Sequence, residues 1–185
     1  LKTHLRRKLK DVIARSSLTV IYVTHDQNEA MSFANQVVVM SAGRIVQHGT
    51  PEDLFERPGT TYVGYFIGSP AMNLLEATRE AESVRVAGVP IVVPSQWLAA
   101  VPEGRFQVGI RPEYLAFAEP SNPLAIPARI VGQEDHGSVR VLEIVIGNAR
   151  AKRKVDREVP VPQETAAVFL PAEKLRVFVN ERLVV

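Results

Sequence analysis

The sequence predicts two unlike parts, an α/β segment over residues 1–70 followed by a small all-β, OB-like barrel over residues 71–185. Three observations carry this division. An apolar, largely β-branched run at residues 18–23 lies between two helical patterns, as a strand inside an α/β layer does. From Met72 onward short apolar runs recur at close spacing, punctuated by Gly88, Pro90, Pro94, Gly104, Pro120, Pro123, Gly137 and Gly147. That texture belongs to small barrels and sandwiches. The charge divides as well: residues 1–68 hold eight basic and six acidic side chains, while the remainder is balanced.

Composition sets the outer limits. A chain of 185 residues, 46% hydrophobic and 23% charged, is ordinary globular material, which excludes disorder throughout. The absence of cysteine excludes a disulfide scaffold, a thiolate metal site and a cysteine nucleophile. No apolar run approaches the roughly 20 residues that a membrane-spanning helix needs. The first residues contain no signal-peptide core and no initiating Met, which leads us to expect a piece of a longer protein.

Each element has a local cause. Leu1, Leu5, Leu9, Val12 and Ile13 recur at helical spacing with cations on the other face, which predicts an amphipathic helix of about fifteen residues released at Ser16-Ser17. The run 18–23 follows as a strand covered on both faces. Thr24-His25-Asp26 then switches to polar residues, with Asp26 as helix cap and Glu29 three positions on completing a capping-box-like pair. Residues 36–40 and 44–48 read as a hairpin turned by Ser41-Ala42-Gly43. Thr50-Pro51-Glu52-Asp53 starts a helix that stops before Pro58-Gly59, and Thr60 opens another that ends at Gly68-Ser69-Pro70, where we expect the domain boundary. In the second part strands are expected at 74–77, 84–86, 91–93, 106–110, 115–118, 125–132, 139–146, 167–170 and 177–179. The charged stretch 150–157 is expected to be an exposed loop.

His25 is the most informative residue for function. It stands at the carboxyl end of the expected buried strand, where open α/β sheets bind their ligands. An imidazole there could donate to a phosphate oxygen or orient a water. Taken alone, such a histidine is more often satisfied by a neighbour than used. His4 and His136 read as surface residues, and the four histidines show no zinc spacing. No Gly-x-x-x-x-Gly-Lys-Ser/Thr phosphate loop and no Gly-x-Ser-x-Gly elbow occurs. The Arg111-Pro112-Glu113 turn reads as a structural strand end with an ion pair, and Trp97 as a packing residue. A different class of function, an OB-fold nucleic-acid-binding module with a basic N-terminal helix, fits the first helix. The neutral charge and few aromatics of the second part count against it.

Several motifs carry a family resemblance. Tyr22-Val23-Thr24-His25-Asp26-Gln27-Asn28-Glu29-Ala30-Met31 resembles the switch-histidine segment of ABC-transporter ATPase subunits. The likeness continues through residues 34–45, Gly49-Thr50-Pro51, residues 66–73 and Gly109-Ile110-Arg111-Pro112-Glu113. Together these are similar to the carbohydrate-importer group, the maltose and glycerol-3-phosphate type. The resemblance implies a C-terminal fragment, with the phosphate loop, signature sequence and magnesium-binding strand all preceding Leu1. It implies that His25 is the switch histidine meeting a γ-phosphate, that Gln27 and Glu29 are structural, and that residues from about 73 form an OB-like regulatory domain. ATP and Mg are then expected in the intact subunit and none on this piece, which should be inactive alone. Implied partners are membrane-spanning transporter subunits, a second copy in a homodimer, and a regulatory protein or small ligand at the OB-like domain, but no nucleic acid. The implied location is the cytoplasmic face of the inner membrane. If the first part is half a sheet, its uncovered strand faces should also drive association of the piece itself.

Overall fold

The computed structural model describes residues 8, 12, 13, 15, 16, 19–119 and 121–184. They divide into two compact units, Leu1–Glu56 and Arg57–Val185. Of the first expected helix, Lys8, Val12, Ile13, Arg15 and Ser16 have helical backbone; the rest of it, with His4, lies outside the described residues.

The first unit departs from expectation at its strand. Residues 19–24 have no regular structure, and Ile21 and Val23 are 89% and 90% exposed. A central strand exists only by pairing with neighbours, and among the described residues no strand pairs with this run. The elements with local signals form as expected. Helix α1 (Gln27–Phe33) is followed by β1 (Val37–Ser41) and β2 (Arg44–Gly49), an antiparallel pair. The turn between these strands places Ala42 and Gly43 at φ 47° and 74°, the left-handed conformation a two-residue hairpin requires. Helix α2 (Pro51–Glu56) is capped at Thr50, whose Oγ1 accepts from Asp53 N–H at 3.1 Å and donates to Asp53 Oδ2 at 2.7 Å.

The second unit opens with α3 (Thr61–Phe66), capped by Thr60 Oγ1 accepting from Val63 N–H. The strands β3 (Asn73–Glu80), β4 (Ser83–Val86), β5 (Val89–Ile91), β6 (Gly104–Ile110), β12 (Arg176–Val179) and β13 (Arg182–Leu183) build a six-stranded sheet in the order β13-β12-β6-β3-β4-β5. The strands β7 (Ala116–Phe117), β8 (Ile126–Asp135), β9 (Val139–Ile146), β10 (Ala149–Asp156) and β11 (Thr165–Phe169) build a five-stranded sheet in the order β10-β9-β8-β11-β7. Every strand pair is antiparallel. One continuous core unites Leu75, Phe106, Val108 and Val177 of the first sheet with Leu142, Ile144, Ile146 and Val168 of the second. The expected OB-like barrel is therefore present, following a short α/β segment in the chain.

Several elements differ from the sequence expectation, among them the short strand β13 and a 3-10 turn at Ala172–Lys174. The stretch expected as a loop at 150–157 is strand β10, in which Ala149, Ala151 and Val155 alternate with cations, and Ala151 and Val155 are buried. A short helix α4 (Ser95–Ala100) carries Trp97, 4% exposed, into the core, as its packing role predicts.

Helix α3 covers the outer face of the six-stranded sheet. A Cβ on Gly64 would lie 3.0 Å from Met72 Sδ, and one on Gly109 of β6 would lie 2.6 Å from the same sulfur and 2.8 Å from Phe178 Cε2. Met72 is thus wedged between helix and sheet, in a contact that only glycines permit. The helix is pinned at both ends. At its start Thr61 N–H donates to Glu181 O and Leu183 N–H to Gly59 O. At its end Arg111, 1% exposed, donates from Nη1 to the carbonyls of Gly64 and Ile67. The segment between α3 and β3 is held as firmly: Lys154 Nζ reaches Ser69 O at 3.1 Å, and the Asn73 carboxamide exchanges two hydrogen bonds with the backbone of Lys152.

Arg111→Met would remove the side-chain donor from the Ile67 carbonyl and leave Gly64 O only its bond from the Met72 N–H, and we expect a loss of about 2 kcal/mol in urea unfolding of the barrel unit. Gly147 sits at φ 55°, and a Cβ there would stand 2.0 Å from Ala87 O, whereas one on Gly43 meets nothing within 4 Å. Gly147→Ala should therefore cost at least about 2 kcal/mol and Gly43→Ala about 1 kcal/mol, compared as shifts of the urea midpoint.

Candidate functional site

His25 stands one residue before the cap of α1, and its surroundings follow from four neighbours. Asp26 Oδ1 accepts from the N–H groups of Asn28 and Glu29, at 2.9 and 3.2 Å, which starts the helix. The Asp26 N–H donates to Thr24 Oγ1 at 3.0 Å. Glu29 turns back on the preceding segment: its Oε2 accepts from Thr24 Oγ1 and from the Tyr22 hydroxyl, each at 3.0 Å. The Tyr22 ring lies against Phe33, 5.6 Å between centroids. The expected capping pair is thus present in altered form, Thr24 standing between the cap's backbone and the Glu29 carboxylate.

The result is a braced turn with His25 at its outer edge. The ring is exposed and, among the described residues, makes no hydrogen bond to the protein. Its neighbours Thr24 and Asp26 are consumed by the brace, so the imidazole is the one side chain of this polar trio left to meet a ligand. The role of Tyr22 and Thr24 in holding the turn is not legible in the sequence. A hydroxyl five or seven residues before a glutamate announces nothing until the chain reverses.

The other candidates fall out as structural. Arg111 serves the end of α3, and Glu113 pairs with Lys154 at 3.1 Å. His136 is an exposed neighbour of Glu134, 3.3 Å away. Among the described residues no group of three metal-binding side chains occurs, and the sequence has no phosphate loop. Among the described residues none is therefore placed to hold a nucleotide with its metal. His25 offers a hydrogen-bond donor and no cradle. Among the described residues no helix is long and apolar enough to cross a membrane.

A two-sheet barrel follows a braced histidine turn in the chain, and comparison with known proteins shows which proteins share this order. Residues 68–115 match the family described as the MalK OB fold domain. The sn-glycerol-3-phosphate import ATP-binding protein UgpC of Cereibacter sphaeroides is 44% identical over 124 residues, 66% of this chain and 34% of the relative. UgpC of Vibrio cholerae is 31% identical over 182 residues, 96% of this chain and 48% of the relative. An uncharacterized ABC transporter ATP-binding protein of Sinorhizobium fredii, y4oS, is 40% identical over 151 residues, 80% of this chain and 39% of the relative. The resemblance read from the motifs holds: over most of its length the chain is similar to ATP-binding subunits of the carbohydrate-importer type. It spans about half the length, or less, of these relatives.

The same comparison removes the nucleic-acid reading, because the OB-like domain is of the MalK kind. Trp97, Phe106 and Phe178 are at most 5% exposed, so these three offer no platform for stacked bases.

Asp26→Ala would remove the acceptor for two helix N–H groups and should destabilise α1 by about 1 kcal/mol. Amide exchange at Asn28 and Glu29 should quicken several-fold; unchanged protection there would show that the cap does not hold the turn.

Proposed function

We propose that this chain is the C-terminal part of the ATP-binding subunit of an ABC importer for a sugar or related small solute such as glycerol 3-phosphate. In that reading residues 1–70 derive from the nucleotide-binding domain and 71–185 are the regulatory domain. The intact subunit hydrolyses ATP with Mg to drive import, at the cytoplasmic face of the inner membrane, docked on membrane-spanning subunits and paired with a second copy. A regulatory protein or small ligand acts at the barrel. His25 takes the switch-histidine role, and everything that holds the nucleotide comes from residues outside this chain.

The observation that carries the proposal is the exposed, unpartnered imidazole on a braced turn, within motifs that run collinearly into a MalK-type OB domain. The exposed apolar residues of the first unit support it. Ile21, Val23, Val38, Met40 and Ile45 are 45% exposed or more, which suits surfaces that another part of the subunit covers.

The test joins the preceding half of the Vibrio cholerae relative to this chain and measures ATP turnover. The chain alone should show no turnover above background, and the joined protein should hydrolyse ATP. His25→Ala in the joined protein should lower the rate at least about a hundredfold while nucleotide binding persists. Wild-type turnover in that variant would remove His25 from the mechanism, and turnover by the isolated chain would overturn the assignment of the missing parts.

A further inference from the structure

Two arginines that neither the fold nor the proposed function uses face into one end of the barrel. Residues opposite each other in an antiparallel pair share a face of the sheet. Across β9 and β10 the register sets Arg140 against Val155 and Leu142 against Arg153. Val155 is 5% exposed and Leu142 fully buried, so this is the inner face. Arg140 and Arg153 are diagonal neighbours on it, about 7–8 Å apart by ordinary sheet geometry.

Neither guanidinium is satisfied within the protein. Arg153 lies over the Phe117 ring, 4.2 Å from its centroid. Since β10 and β7 are the two edges of the five-stranded sheet, this contact also shows the sheet curling on itself. Arg140 donates from Nη2 to Val159 O. In both residues the Nε is buried and has no acceptor. Among the described residues neither has a carboxylate partner. Asp135, directly opposite Arg140 on β8, is occupied by the Gly137 N–H and by Arg157. Burial pushes the Arg153 pKa down, the direction expected of a cation that has lost water without gaining a counter-charge.

Two adjacent, inward-facing cations with unmet donors form half of a recognition site. Guanidinium edges match the oxygens of phosphate and sulfate, and Phe117 fixes one fork in place. Both residues remain partly exposed, so an ion reaches the outer guanidinium edges from solvent. We propose that Arg140 and Arg153 form a binding site for a small dianionic oxyanion, of the phosphate or sulfate type, at the barrel end bounded by Phe117 and Val159. The site does not depend on the importer reading, and its test uses neither ATP nor transport partners.

Calorimetric titration and thermal unfolding of the 185-residue chain with sodium phosphate, sodium sulfate and methyl phosphate, against sodium chloride at equal ionic strength, test the site directly. We expect saturable binding of one ion per chain and a rise of a few degrees in Tm that chloride does not give. Tighter binding of phosphate than of methyl phosphate would mark the free ion as ligand, and the reverse order an organic ester; either supports the site. Arg140→Gln and Arg153→Gln should each weaken binding about tenfold or more, whereas Arg150→Gln, an exposed residue paired with Glu143, should not. If the glutamine variants fold poorly, Arg153→Lys keeps the charge and stem but loses the fork, and its affinity should still fall. No saturable binding by the unmodified chain, or undiminished affinity in these variants, would overturn the proposal.

Discussion

The buried guanidinium of Arg111 is the constraint on which the second unit is organised. Taking a cation out of water is costly unless donors find acceptors at once. Here the acceptors are the carbonyls of Gly64 and Ile67, the groups that a helix end leaves without internal partners and that carry its negative pole. One side chain thereby resolves two liabilities, its own desolvation and the unpaired end of α3. Both bonds leave from one nitrogen, Nη1, which brings the two carbonyls together at a single point. With Arg111 at one end of the helix and the β13 backbone at the other, α3 and the sheet beneath it form one body. The segment carrying Gly68, Ser69 and Pro70 is linker-like in composition, yet Lys154 and Asn73 hold it against the barrel.

The elements legible in the sequence are those whose cause is local. Asp26, Thr50 and Thr60 announce their helices because a cap acts within three residues, and Ala42-Gly43 announces its hairpin because the turn itself needs a left-handed backbone. The run 18–23 has the composition of a central strand, but composition supplies only the propensity. The ladder has to come from neighbouring strands, and without them the residues lie open. Strand β10 hid for the opposite reason. Its charges suggested a loop, while the alternation of Ala149, Ala151 and Val155 beneath them was the period-two signal of a half-buried strand. Helix α4 is a single turn and a half between Pro94 and Pro102, too short for periodicity to register.

The candidate site divides along the same line. His25 was legible because three polar residues end an apolar run, a break that needs a reason. The brace that presents it was not, since Tyr22, Thr24 and Glu29 meet only after the chain turns back. This brace also explains how a run that pairs with no strand among the described residues keeps a defined end. Hydrogen bonds over five to seven residues of sequence cost little loop entropy, so the turn is stabilised by what lies within it rather than by what should lie beside it. The function proposed for the imidazole thus requires a phosphate to be delivered to it, and requires nothing of the strand behind it beyond the direction from which the chain arrives.

Net charge conceals how the second unit uses its cations. From residue 69 onward basic and acidic residues are equal in number, which on composition alone argues against any anionic partner. Position reverses that inference. Arg150 and Lys154 meet Glu143 and Glu113 on the outside of β10, and Arg157 meets Asp135, so the surface is locally balanced. Arg153 alternates with them to the inside, where the same strand that neutralises its outer face leaves an inner charge resting on an aromatic ring. A period of two therefore separates cations that close the barrel from cations that stand without a counter-charge inside its mouth. An anion site of the kind proposed needs no excess of positive charge, only that two arginines be denied a carboxylate.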